Sequence, residues 1–239
     1  TLKLSLEMTD VLAKIEYNGL KINLNTLEQI REEYETEMHE LEMRLDSLAR
    51  DAMGDTPINL ASPDDRSMLL YSRKVADKTL WSQVFNLGHE VRGSTRKPKM
   101  RTRMRAKEFK ENVRGLTRVV YKTEGQRCPD CNGEGRFHPL RKDGTPSKAV
   151  RVCKTCRGTG VLYRSTGEVA GFKLVPRNPM DVASAGFKTD KVTLEERAPE
   201  LNGAARDFAE SYVRYNALRT YLSTFVEGMQ NNVDENGFI

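Results

Sequence analysis

All four cysteines of this chain fall between Cys128 and Gly160, in two matching pieces: Cys-Pro-Asp-Cys-Asn-Gly-Glu-Gly and Cys-Lys-Thr-Cys-Arg-Gly-Thr-Gly. Both read C-x-x-C-x-G-x-G. Two residues between thiolates let both sulfurs of one tight turn reach a single ion, and the glycines that follow permit the positive φ of such a knuckle. Two knuckles make a complete tetrahedral set, Cys128, Cys131, Cys153 and Cys156, and predict one structural zinc ion. A zinc ion held by four cysteines has no open position and activates no water. Two disulfides would leave the glycines unexplained, and a redox C-x-x-C would not come duplicated.

The repeat resembles the cysteine-rich zinc module of DnaJ-type chaperones. That family carries four copies where this chain has two, and its His-Pro-Asp signature is absent. The resemblance extends only to the way the knuckles are built. Between them, Phe137 to Val152 reads as a hairpin turning at Asp143-Gly144, and Val161 to Lys173 as a second hairpin around Thr166-Gly167. Together they predict a small β zinc ribbon with a core too thin to fold without metal.

Charge is unevenly spread. Counting Lys and Arg against Asp and Glu, residues 1–91 sum to −7, 92–127 to +10, 128–160 to +4 and 161–239 to −2. Thirteen positive against three negative side chains in the run 92–127 suit a phosphate-bearing partner, or else a solvated basic loop. The run lacks interleaved aromatics, so phosphate contact is expected and base stacking is not. The candidate contacts are Arg96, Lys97, Lys99, Arg101, Arg103, Arg105, Lys107 and Arg114. Met100, Met104 and Phe109 are its apolar anchors. No apolar stretch is long enough to span a membrane, reduced, metal-bound cysteines suit an intracellular compartment, and a chain opening on Thr1 reads as a fragment or a processed piece.

The flanks read as helices. Leu4, Met8, Val11, Leu12 and Ile15 share one face, ended by Asn18-Gly19, and Leu20 to Leu24 alternates like a strand. Asn25, with Glu28 three residues on, predicts the cap of a long helix burying Leu27, Ile30, Tyr34, Met38, Leu41, Leu45 and Leu48, closed by Gly54. Ser62, Pro63, Asp64 and Asp65 signal a further helix start. Trp81 is expected in a core. Val175 to Phe187 reads as a loop, Thr193 and Glu196 as a capping box, and Asn202 as the cap of a long helix with Phe208, Tyr212, Tyr215, Leu218, Leu222, Phe225 and Met229 on one face.

These flanks resemble family A DNA polymerases, in the passage from the exonuclease domain through the thumb. The similarity rests on Glu7, Val11-Leu12, Ile15-Glu16, Asn18-Gly19, Ile22-Asn23, the long helix, and Ile58-Asn59-Leu60-x-Ser62-Pro63 before Leu69-Leu70-Tyr71. It resumes at Gly186 to Leu194 and at Tyr215-x-x-Leu218-x-x-Tyr221-x-Ser223-Thr224-Phe225, and ends on Asp234-Glu235-Asn236-Gly237-Phe238-Ile239. Asn23 stands where the family usually has Asp. Asn216, Thr220 and Leu222 stand where basic residues are usual.

The resemblance implies a mainly α fold of long antiparallel thumb helices with the small β zinc ribbon inserted. Residues 1–73 would be the exonuclease-to-thumb connection and first thumb helices, 74–187 the inserted basic and zinc-binding module, and 188–239 the second thumb helices leading to the palm. It adds Ser223 and Thr224 as DNA contacts and primer–template DNA as partner. Short-tailed phage polymerases carry a processivity-factor-binding insertion in the thumb, so such a factor is a further expected partner. The location would be cytoplasmic, in a bacterium or phage-infected cell. No catalytic residue is expected, because the magnesium-binding carboxylates of the family lie in a palm outside this chain; His39, His89 and His138 are read as inert. The alternative is a stand-alone zinc-dependent nucleic-acid-binding or chaperone-like interaction module.

Overall fold

A computed structural model describes residues 8–9, 19–87, 104–142, 144–234 and 237–238. The chain divides into two compact units, one of residues 1–45 with 208–239 and the other of residues 46–207. The described residues are mainly helical, with four two-stranded antiparallel sheets. The helix expected over 4–18 lies outside the described residues except at Met8 and Thr9, which are helical.

The first unit is built on helix α1, Leu24–Met53, whose residues up to Leu45 belong to it. The cap differs from the expectation: the amide of Thr26 donates to the Asn23 side chain at 3.2 Å, so Asn23 starts the helix two residues ahead of Asn25. Because the helix claims Leu24, the strand expected over Leu20–Leu24 shrinks to one bridge between Lys21 and Phe238. Helix α6, Ala204–Thr220, passes into a π-helical turn, Tyr221–Val226, and then into helix α7, Glu227–Asn232.

Partners along α1 run in the opposite order to those along α6, so the two helices are antiparallel. Leu27 packs with Leu222 and Val226, Glu28 accepts from Gln230, Tyr34 meets the Tyr221 ring, and Glu37 pairs with Arg214. The π turn holds one more residue than an α turn and rephases the buried face. Leu218, Leu222 and Val226 point inward, whereas Phe225, expected inside, is half exposed.

In the second unit, α1 ends at Met53 and Gly54 (φ +78°) turns the chain; a Cβ here would stand 2.2 Å from the Thr123 carbonyl oxygen. Helix α2, Pro63–Tyr71, has the Ser62 cap and Pro63 start that its sequence signals. Strand β1, Arg73–Val75, pairs with β2, Thr117–Val119, so the expected boundary after residue 73 falls inside a paired strand. Between these strands lie helices α3, Lys78–Val84, and α4, Ala106–Leu116.

The core of this unit is aromatic. Trp81 is fully buried, its ring 4.5 Å from Phe85 and 5.5 Å from Phe187, and its indole N–H donates to the Ala183 carbonyl. Phe85 meets Phe109 of α4 at 5.9 Å. The stretch expected to be a loop instead contains a hairpin of β7, Val182–Ala183, and β8, Gly186–Phe187, because Phe187 is needed in this cluster. Helix α5, Lys191–Arg197, is capped by Asp190 bonding the Thr193 amide, so Thr193 is the recipient of the cap and not its source. Helix α6 begins at Ala204, where the Gly203 carbonyl meets the amides of Arg206 and Asp207.

Candidate metal centre

Strand β3, Tyr121–Arg127, delivers Cys128, and strand β6, Val161–Val169, leaves Gly160; the two strands pair antiparallel. This ladder replaces the second expected hairpin. Thr166-Gly167 instead marks an irregularity, since Tyr121 pairs with Val169 and Thr123 with Ser165, leaving extra residues on β6 around Gly167 (φ +83°). Strands β4, Arg136–Phe137, and β5, Arg151–Val152, form the inner hairpin expected from the sequence; Asp143 at its tip lies outside the described residues. Asp55 anchors the outer ladder, its carboxylate accepting from the Gly125 amide at 2.7 Å.

The two knuckles, 25 residues apart in sequence, repeat one another in most of their hydrogen bonds. The Cys128 amide donates to the Gly160 carbonyl at 2.9 Å, and the Cys153 amide to the Gly135 carbonyl at 2.8 Å. The Gly135 amide reaches Cys131 Sγ at 3.2 Å, and the Gly160 amide reaches Cys156 Sγ at 3.3 Å. Asn132, Gly133 and Gly135 have positive φ, as do Arg157, Gly158 and Gly160. Asp130 and Thr155, at equivalent positions, hydrogen-bond to each other across the pair. The two knuckles are thus related by a local pseudo-twofold, which follows from the repeated C-x-x-C-x-G-x-G.

All four sulfurs are buried and lie within 4.8 Å of one another. Cys128 and Cys153 Sγ are 3.9 Å apart and Cys131 and Cys156 Sγ 3.6 Å apart, with all four cysteines free. A tetrahedral ion with metal–sulfur bonds of about 2.3 Å requires edges of about 3.8 Å, whereas a disulfide requires about 2.05 Å. The donor set therefore fits a metal ion. It surrounds the centre on four sides and leaves no place for a substrate.

Electrostatics favour thiolate unequally. Burial pushes the Cys128 thiol up to about 11, against the amides of Asp130 and Cys131. At Cys156 burial also pushes upward, but the amides of Gly160 and Gly158 and the sulfurs of Cys131 and Cys153 outweigh it and hold the thiol at about 6. A cation at the centre would offset the burial penalty on the Cys128 thiolate. Among the described residues no other group of His, Cys, Asp or Glu is gathered closely enough to hold a metal ion.

The basic candidates are placed only in part. Arg96, Lys97, Lys99, Arg101 and Arg103 lie outside the described residues, as does His89. Arg105 precedes α4, and Lys107 and Arg114 are exposed on it. Ser223 and Thr224 belong to the first unit, exposed on the π turn. Sequence reading missed Lys110, which joins Lys107 and Arg114 at i, i+3 and i+7 on the exposed side of α4, beside the buried row of Phe109, Val113 and Leu116. The signal was present, since those apolar residues stand at i, i+4 and i+7 within the basic run. No described helix is long and apolar enough to cross a membrane.

Comparison of the chain with protein-family models, curated proteins and solved structures yields no match.

Proposed function

We propose that this chain is the thumb region of a family A DNA polymerase, gripping primer–template DNA, with a zinc-stabilised ribbon inserted in it. The observation that carries this reading is the placement of Tyr215-x-x-Leu218-x-x-Tyr221-x-Ser223-Thr224-Phe225. That signature lies on a long helix packed antiparallel on α1, with its inward residues Leu218 and Leu222 buried and Ser223 and Thr224 exposed on a π turn. Such π turns are frequent at functional sites. Two hydroxyls there suit a phosphate backbone.

The ion at the four cysteines is zinc in this account, because soft thiolates in a closed tetrahedron select it and exclude magnesium or calcium. Its role is to fold the ribbon. The exposed cations Arg105, Lys107 and Arg114, with the basic residues from Arg96 to Arg103, provide further phosphate contacts. A processivity factor is a second partner, and the parent protein is a cytoplasmic nucleotidyltransferase whose catalytic carboxylates lie outside this chain. The isolated chain should extend no primer.

A salt titration of duplex DNA binding tests the reading. Engagement of five basic residues predicts a log–log slope of about −4 to −5, and Arg101, Arg103 and Arg105 replaced together by Ala should reduce its magnitude by about 2 to 3. An unchanged slope, or no binding at low salt, refutes the DNA-clamping role of the basic run.

A further inference from the structure

The second unit contains a cavity of about 600 Å³ between α4, β2 and the segment from Val169 to Pro176, lined by none of the four cysteines. Its wall is aliphatic, formed by Val113, Val119, Val169, Leu174, Val175 and Pro176. Val119 and Val175 are exposed there, at 36% and 66%. Its rim carries Arg73, Lys107, Lys110, Arg114 and Lys173 against a single acid, Glu111. None of these five cations is held in an ion pair among the described residues.

We propose that this cavity docks an acidic segment of a partner protein, in which one apolar side chain enters the aliphatic wall and flanking carboxylates meet the rim cations. Charge complementarity sets the sign of the occupant, and the aliphatic wall sets its other half. Lys107, Lys110 and Arg114 span seven residues of helix, about 10 Å, which matches about three residues of extended peptide. DNA phosphates share the rim cations Lys107 and Arg114 in the proposed DNA-gripping role, but a nucleic acid leaves the aliphatic wall unfilled. Bases bind by stacking on exposed aromatic faces, and the two lining aromatics, Tyr71 and Phe109, are only 2% and 1% exposed. A sugar–phosphate backbone has no apolar group for the valines.

The probe is a set of fluorescent twelve-residue peptides in which five Asp or Glu residues surround one Leu, Phe or Trp, titrated by anisotropy against the full chain. At least one should bind with a Kd of about 100 µM or tighter, and replacing its apolar residue by Ser should weaken binding about tenfold. The double variant Lys110→Glu/Arg114→Glu and the double variant Val119→Ser/Val175→Ser should each weaken it at least about tenfold. All four positions are solvent-exposed, and unchanged melting curves establish that the variants fold. Absence of binding by every peptide overturns the proposal, as does affinity indifferent to the apolar residue or to either variant. An oligo-dT probe that loses tenfold affinity in Val119→Ser/Val175→Ser assigns the cavity to nucleic acid and also overturns it. Because that variant removes no charge, duplex DNA binding by it should be unchanged. Failure here and failure of the DNA-gripping role are therefore read separately.

Discussion

Replacing Gly160 by Ala should damage the metal centre far more than replacing Gly158, although the two glycines are two residues apart in the same knuckle. Both have positive φ, +75° and +92°, so each alanine is strained by about 1–2 kcal/mol. Their surroundings separate them. A Cβ at Gly160 would lie 2.1 Å from the Gly133 carbonyl oxygen of the other knuckle, which is rigid backbone; at Gly158 it would meet Val152 Cγ1 at 3.1 Å, a side chain that can turn aside. Forcing the two knuckles apart adds about 1–3 kcal/mol of overpacking, for a total of about 2–5 kcal/mol. The pseudo-twofold extends the prediction to Gly135, whose Cβ would stand 2.2 Å from the Gly158 carbonyl oxygen. Gly144, also at positive φ but with nothing within 4 Å, gives the baseline for backbone strain alone. In a ribbon folded by its metal, as proposed, the loss would appear as metal affinity, read by competition with a chelator of known zinc affinity. Gly160→Ala and Gly135→Ala should lose about 30-fold or more, and Gly158→Ala and Gly144→Ala about 5- to 30-fold. Equal losses, within about threefold, at Gly160 and Gly158 would refute the close backbone approach on which the paired-knuckle geometry rests.

Removing the metal should unfold β3 to β6 while α1 and α6 persist, because metal binding supplies on the order of 10 kcal/mol to a ribbon with little apolar core; full retention of ribbon amide protection after chelation would contradict this. Burial pushes the Tyr71 hydroxyl up to about 12. A folded pKa above the unfolded one means stability intact below about pH 10 and lost as pH rises toward 12, by up to about 2–3 kcal/mol, so denaturant titrations should show a steeper alkaline decline in the parent than in Tyr71→Phe. Arg197 is buried against Asp181 and Glu200 and donates to the Val175 carbonyl; because Glu200 keeps Arg177 and Asp181 keeps the Arg177 and Asn178 amides, Arg197→Ala loses chiefly its own packing and that hydrogen bond and should cost about 1–3 kcal/mol in chemical denaturation. The Arg214 hydrogen bond holds Glu37 below the usual carboxylate range. Its contribution is therefore present at neutral pH and lost as pH falls through that lowered value; since the pair is exposed, Glu37→Gln should cost no more than about 1 kcal/mol at pH 7 and nothing at pH 2.

The cysteine centre was legible because its chemistry is local: each C-x-x-C-x-G-x-G specifies its own turn, and repetition supplies the other half of the donor set. Ser62-Pro63-Asp64-Asp65 was legible for the same reason, every signal lying within one helical turn. Long-range pairing was not. Strand β6 reads as half of a hairpin around Thr166-Gly167, yet its partner is β3, a polar Tyr-Lys-Thr-Glu-Gly-Gln-Arg that shows no apolar alternation because both its faces are largely solvated. Helix α4 was hidden by its charge, although Phe109, Val113 and Leu116 mark its inner face. The cap of α1 slipped by two residues because Asn23 and Asn25 both carry cap chemistry, and only the hydrogen bond to Thr26 distinguishes them. Phe225 faces outward because the π turn shifts the helical phase, which a periodicity of 3.6 does not foresee.

The DNA-gripping role is tested most directly at Ser223. A photo-crosslinking side chain placed there, on an exposed position of the π turn, should attach to primer–template duplex on irradiation at low salt, and the yield should fall as salt displaces the DNA. Saturated duplex binding without a crosslink at residue 223, while a probe elsewhere on the chain does crosslink, would contradict the assignment of this turn to the DNA.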